Sequence, residues 1–65
     1  MLKPNDVRVG GLYIEDPTGQ RIVVEEIKPR FEGSQKLEVF FHHEGEEGLG
    51  VWWGLDLFCL NCSPT

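Results

Sequence analysis

Leu12-Tyr13-Ile14-Glu15-Asp16-Pro17-Thr18-Gly19-Gln20-Arg21-Ile22-Val23-Val24 reads as two strands joined by a tight turn. Pro17 presets φ at the second position of the turn, and Gly19 supplies the positive φ that closes a hairpin. Toward the N-terminus, Val7 and Val9 alternate with Arg8, and Gly10-Gly11 permits a bend or bulge. Extended chain is therefore expected from Val7 to Glu15. Beyond the turn, the second run reaches Lys28, with Ile22 and Val24 on one face and Arg21, Val23 and Glu25 on the other. Glu26-Ile27 shifts this parity, which predicts a bulge or a strand end.

Further along, Pro29 to Gln35 is a loop containing Phe31, and Lys36 to His43 alternates as a third strand. Glu44 to Gly50 is an acidic, glycine-rich loop, and Val51-Trp52-Trp53-Gly54 a short fourth strand. Leu55-Asp56-Leu57-Phe58 predicts one helical or 3₁₀ turn before a last strand at Cys59 to Asn61, and Ser63-Pro64-Thr65 should fray. No stretch long enough for a stable helix shows helical periodicity. The expected fold class is all-β, one domain over residues 1–65, with about five short antiparallel strands. A flat sheet of this size would leave its apolar face wet, so bending into a small barrel is expected.

These elements give the chain its resemblances. The approach from Val7 to Gly11, the early hairpin, the glycine-rich third turn and the short Leu55–Phe58 turn before the final strand resemble the SH3-like barrels of SH3, Tudor and KOW type. Gly11-Leu12-Tyr13-Ile14-Glu15-Asp16 and Trp52-Trp53 are faintly similar to two motifs of peptide-binding SH3 domains. Two departures argue against polyproline recognition: a tight Pro-Thr-Gly turn replaces the family's long acidic loop, and the Pro-Ser-Asn-Tyr segment is missing. The opening Lys3 to Tyr13 also resembles small uncharacterised proteins of phages and mobile elements.

Composition bounds the function. The chain has 65 residues and a formal net charge of −5, with 11 acidic against 6 basic side chains. Such an acidic domain repels a phosphate backbone, so generic nucleic-acid binding is disfavoured. No segment approaches the length of a membrane span, and Met1 to Asp6 lacks the apolar stretch of a secretory signal. Two cysteines are too few for a disulfide framework, so a cytoplasmic location with reduced thiols is expected.

The aromatic doublets Phe40-Phe41 and Trp52-Trp53 point to a contact surface. Neighbours on a strand face opposite ways, so one member of each doublet should face outward. With Leu12, Ile14, Ile22, Val24, Leu37, Val39, Phe41, Val51 and Trp53 as the core, Tyr13, Val23, Phe40 and Trp52 form the outer patch. Tyr13, Phe40 and Trp52 would anchor a protein partner or a second copy of the chain, and Glu44, Glu46 and Glu47 would steer a basic surface toward them. The bland alternative is a second, minor core under the Phe31 loop or the C-terminal tail.

The only metal-like set is Cys59-Leu60-Asn61-Cys62 with His42-His43. Adjacent histidines on a strand diverge, leaving a fourth zinc ligand to Glu44, Asp56 or water, and the knuckle lacks its usual glycine. No cofactor or metal is expected. Two catalytic pairings can be drawn, Cys59 with His43 and His42 with Glu44, but neither belongs to a motif, and no enzyme activity is expected. The expected function is a non-catalytic protein-binding module. Its alternatives are a phage or mobile-element inhibitor presenting an acidic surface to a host nucleic-acid enzyme, and a nucleic-acid binder using Lys28, Arg30, Lys36 and stacked aromatics.

Overall fold

The structure, a computed structural model, describes all 65 residues. After a 3₁₀ turn at Pro4–Asp6 come β1 (Leu12–Glu15), β2 (Gln20–Pro29), β3 (Leu37–His43), β4 (Val51–Gly54), the helix α1 (Leu55–Asn61) and β5 (Cys62–Pro64). All strand pairs are antiparallel, in one five-stranded sheet ordered β4-β3-β2-β1-β5. The sheet does not close. β4 and β5 are its two edges, and α1 carries the chain from one edge to the other.

The hairpin forms where the Pro17 turn predicts it. Glu15 pairs with Gln20, and the Glu15 carbonyl accepts the Thr18 and Gly19 N–H groups at 3.2 and 2.7 Å. Gly19 takes φ +72°, a value that a residue with a Cβ rarely adopts. The predicted parity shift in β2 is a bulge: Val24 pairs with Phe41 and Glu26 with Phe40, leaving Glu25 as the extra residue. Ile22 and Val24 before the bulge, and Ile27 after it, therefore all reach the same core.

Three segments depart from expectation. Val7 to Glu15 is not continuously extended; β1 begins at Leu12, and Gly10 and Gly11 both bond Val24 across the gap (2.7 and 3.0 Å). The single helical turn expected at Leu55–Phe58 is a seven-residue α-helix, which moves the last strand from Cys59–Asn61 to Cys62–Pro64. A helix this short is unstable alone, so packing maintains it. Asn61 closes its end by donating from Nδ2 to the Leu57 carbonyl at 2.9 Å.

The third correction concerns β1. Tyr13, expected outside, is buried at 7% exposure, whereas Leu12 and Ile14, expected in the core, are half-buried on the other face. The register is the cause. Tyr13 lies opposite Ile22, which is fully buried, and residues directly opposite in an antiparallel pair share a face. Burial is tolerated because the phenol is bonded twice. Its Oη donates to the Asp6 carbonyl at 2.6 Å and accepts the Arg8 N–H at 2.9 Å, pinning the N-terminal segment.

Phe58 of α1, fully buried, packs edge-on against Tyr13 (centroids 5.8 Å apart) and Phe41 (5.3 Å), and Phe41 packs against Trp53 (4.9 Å). Leu2, Val7, Val39, Cys59 and Cys62 complete the core. Leu37 and Val51, placed in the core from the sequence, are 36% and 45% exposed, because they occupy a strand end and an edge. Truncating Phe58 to Ala should cost about 3–5 kcal/mol. That is comparable with the whole stability of a chain this size, about 3–10 kcal/mol. We predict that Phe58→Ala is largely unfolded at 25 °C by circular dichroism and denaturant titration. A cooperative, native-like melt would contradict the role given to this ring.

Candidate functional site

The outer face of β2, β3 and β4 gathers two of the three aromatics expected to form the contact patch. Phe40 stands between Glu26 of β2 and Trp52 of β4, and its ring centroid lies 4.9 Å from that of Trp52. The backbone at Gly50 passes so close to the Phe40 ring that a Cβ there would collide with it. Phe40 is consequently half-buried, a minor core of its own, while Trp52 stays 38% exposed. Lys28 Nζ sits 4.5 Å from the centroid of the Trp52 ring, a cation–π contact that holds the indole in place.

Beside Trp52 a groove of about 510 Å³ runs toward the first turn of α1. Its walls include Arg30, Lys36, Leu37, Glu38, Trp52 and Leu57. Leu37 and Leu57 are exposed, so the groove extends the apolar surface of Trp52. Its charges are largely compensated: Arg30 Nε lies 3.3 Å from Glu38 Oε1, and nearby Lys28 Nζ lies 3.8 Å from Glu26 Oε2. Lys36 has no carboxylate partner within 4.0 Å.

The expected site is thus only partly assembled. Phe40 and Trp52 meet, but Tyr13 belongs to the core on the opposite face. Glu44, Glu46 and Glu47 follow the end of β3 remote from the groove, around a second depression of about 290 Å³ lined in part by Arg21 and His43. Glu44 Oε1 lies 3.9 Å from Arg21 Nε and Glu46 Oε2 3.8 Å from His43 Nδ1, whereas Glu47 pairs with no cation.

The histidines take separate partners, as strand alternation requires. His42, buried on the outer face, bonds through Nδ1 to Oε2 of the bulge residue Glu25 at 2.9 Å. His43, on the inner face, bonds through Nε2 to Glu15 Oε1 at 2.8 Å, and the Thr18 hydroxyl donates to the same oxygen at 2.8 Å. The His43 hydrogen bond holds the Glu15 carboxyl below its ordinary pKa, with Thr18 assisting, against the opposing effect of burial. Glu15 escaped notice in the sequence, although it shares the face of Tyr13.

Cys59 and Cys62 are both buried as free thiols. Burial pushes the Cys62 thiol up to about 12 and raises Cys59, with Asp56 and Asp6 adding to the latter. Cys62 is a core residue rather than part of a loose tail. No three His, Cys, Asp or Glu side chains converge as a metal set, and neither Cys59–His43 nor His42–Glu44 forms as a pair. No helix is long and apolar enough to cross a membrane.

Comparison of the chain with protein-family models, with curated proteins and with solved structures found no match.

Two outcomes follow from the buried polar groups. A carboxyl with a depressed folded pKa stabilises the fold above its unfolded value near 4.5, and that contribution is lost as pH falls through the folded value. We predict that the melting temperature drops as pH falls from about 4.5 through the folded value. Glu15→Gln should flatten this part of the profile and cost about 1–3 kcal/mol at neutral pH; an unchanged profile would refute the linkage. We also predict that a maleimide labels neither cysteine in the native protein and both after denaturation, read by mass spectrometry. Rapid native labelling would show that the thiols are not held in the core.

Proposed function

We propose that this protein is a non-catalytic protein-binding module whose contact surface is centred on Trp52. The observation that carries the reading is the exposed indole, fixed between Phe40 and Lys28, at the mouth of a groove continued by Leu37 and Leu57. A preordered tryptophan beside a concavity has the features of an interface anchor, because little side-chain freedom is lost when a partner covers it. The early hairpin, the long bulged second strand and the short helix before the last strand support an SH3-like barrel type. A cytoplasmic setting agrees with the two reduced thiols. Acidic steering in this reading falls chiefly to Glu47, because Glu44 and Glu46 already lie beside Arg21 and His43.

A second reading, nucleic-acid binding, has one observation in its favour: Lys28, Arg30 and Lys36, half of the cations in the chain, surround the Trp52 groove. Glu26 and Glu38 neutralise two of them, and the net charge of −5 opposes a polyanion at long range. The protein-binding reading therefore ranks first.

The deciding experiment is a tagged pull-down from native-host lysate, with and without nuclease, using Trp52→Ala as control. Trp52 lies outside the main core, so the variant should stay folded and lose the partner. Partner loss on nuclease treatment would transfer the function to nucleic acid. A folded Trp52→Ala that keeps every partner would refute this surface.

A further inference from the structure

The two edges of the sheet are not equivalent. β5 ends at Pro64, which cannot donate a ladder hydrogen bond, so this edge is blunted. β4 is hydrogen-bonded on one side only, to β3, and its Val-Trp-Trp-Gly sequence has no charge, proline or bulge on the free side. An apolar edge without such devices is a template for another strand. We propose that β4 pairs antiparallel with β4 of a second copy, making one ten-stranded sheet across a two-fold axis. The proposal concerns the backbone edge and does not depend on what covers the Trp52 ring.

Parity and charge select both the register and the occupant. Directly opposite residues must share a face, so a symmetric pair places Trp52 against Trp52 or shifts by whole two-residue steps. With Trp52 on the axis, Gly50 lies opposite Gly54 and Val51 opposite Trp53. The preceding loop of each copy then runs beside the first turn of α1 of the other. Leu49, 70% exposed in its own chain, reaches the groove lined by Leu37, Leu55 and Leu57. Glu46 and Glu47, just upstream, approach Arg30 and Lys36, the latter without a partner of its own. A second copy thus brings acidic groups to the basic end and apolar side chains to the apolar walls. Each indole stays on the outer face, while Leu49 of the other copy takes up the apolar groove beside it.

Isotope-mixed cross-linking tests this geometry together with the mass in solution. Within one copy, Lys36 and Glu46 or Glu47 lie beyond opposite ends of β3, a strand about 23 Å long at about 3.3 Å per residue. A zero-length carbodiimide bond between them must therefore join two copies. Sedimentation equilibrium should give a dimer, and a ¹⁴N/¹⁵N mixture should give mixed-label cross-links from Lys36 to Glu46 or Glu47. Val51→Lys, on the edge and already 45% exposed, should raise the dissociation constant about tenfold or more. Val9→Lys, exposed away from the edge, should leave it unchanged. A monomer at every concentration, a dimer without these mixed cross-links, or a folded Val51→Lys that dimerises like wild type would each overturn the proposal. The pull-down with Trp52→Ala reads the indole, and sedimentation of Val51→Lys reads the backbone edge, so failure of one reading is distinguishable from failure of the other.

Discussion

The fold depends on Phe58 seated between Tyr13 and Phe41. An open sheet of short strands cannot bury its inner face by itself. α1 supplies the missing cover, and its one large, fully buried side chain touches an aromatic from β1 and another from β3. The contact is mutual, because a seven-residue helix would not persist without a surface to pack on. From this ring the order extends outward. Tyr13 ties down the N-terminal segment through its hydroxyl, Phe41 positions Trp53, and the end of α1 delivers β5 to the edge of β1.

With the inner face filled in this way, the outer face has to manage its own apolar groups. It does so unevenly. His42 and Glu25 satisfy each other at the bulge, and Phe40 is covered by Gly50 and Trp52. Trp52 is the residue left over. Phe40 packs against it and Lys28 lies over its ring, yet it stays 38% exposed, and the adjoining groove leads to two more exposed leucines. The proposed binding role rests on this residue because the depression beside it continues its apolar surface. The free edge of β4 carries the same residue, so the proposed strand pairing and the proposed recognition through Trp52 share one part of the molecule.

Glu15 and His43 show how a polar pair can sit at the margin of so small a core. Both lie on the inner face at the hairpin end of the sheet. Their mutual hydrogen bond, with Thr18 on the same carboxylate oxygen, links β1 to β3 across β2. No buried side-chain nitrogen or oxygen is left without a partner. Satisfaction of this kind matters in a protein where one unpaired group would cost about 1–3 kcal/mol.

The sequence alone determined the features that rest on local chemistry. The Asp16–Gly19 turn, the two strands beside it, the bulge in β2, the alternation of β3 and the all-β class follow from proline, glycine and period-two patterning. So does the exposure of one residue in the Trp52-Trp53 doublet. The face of Tyr13 was also legible in principle, since a four-residue loop closed by Glu15 and Gln20 sets Tyr13 opposite Ile22. The hydrophobicity of Leu12 and Ile14 pointed the other way and concealed it. Only tertiary structure decided that Leu55–Asn61 is helical, because that segment gains its stability from burying Phe58 and Cys59. Tertiary structure likewise separated Glu44, Glu46 and Glu47 from Trp52, since β3 carries the chain away from the groove before the acidic loop begins. Which residues become neighbours depends on strand register and sheet order, and these are set by contacts between segments far apart in the chain.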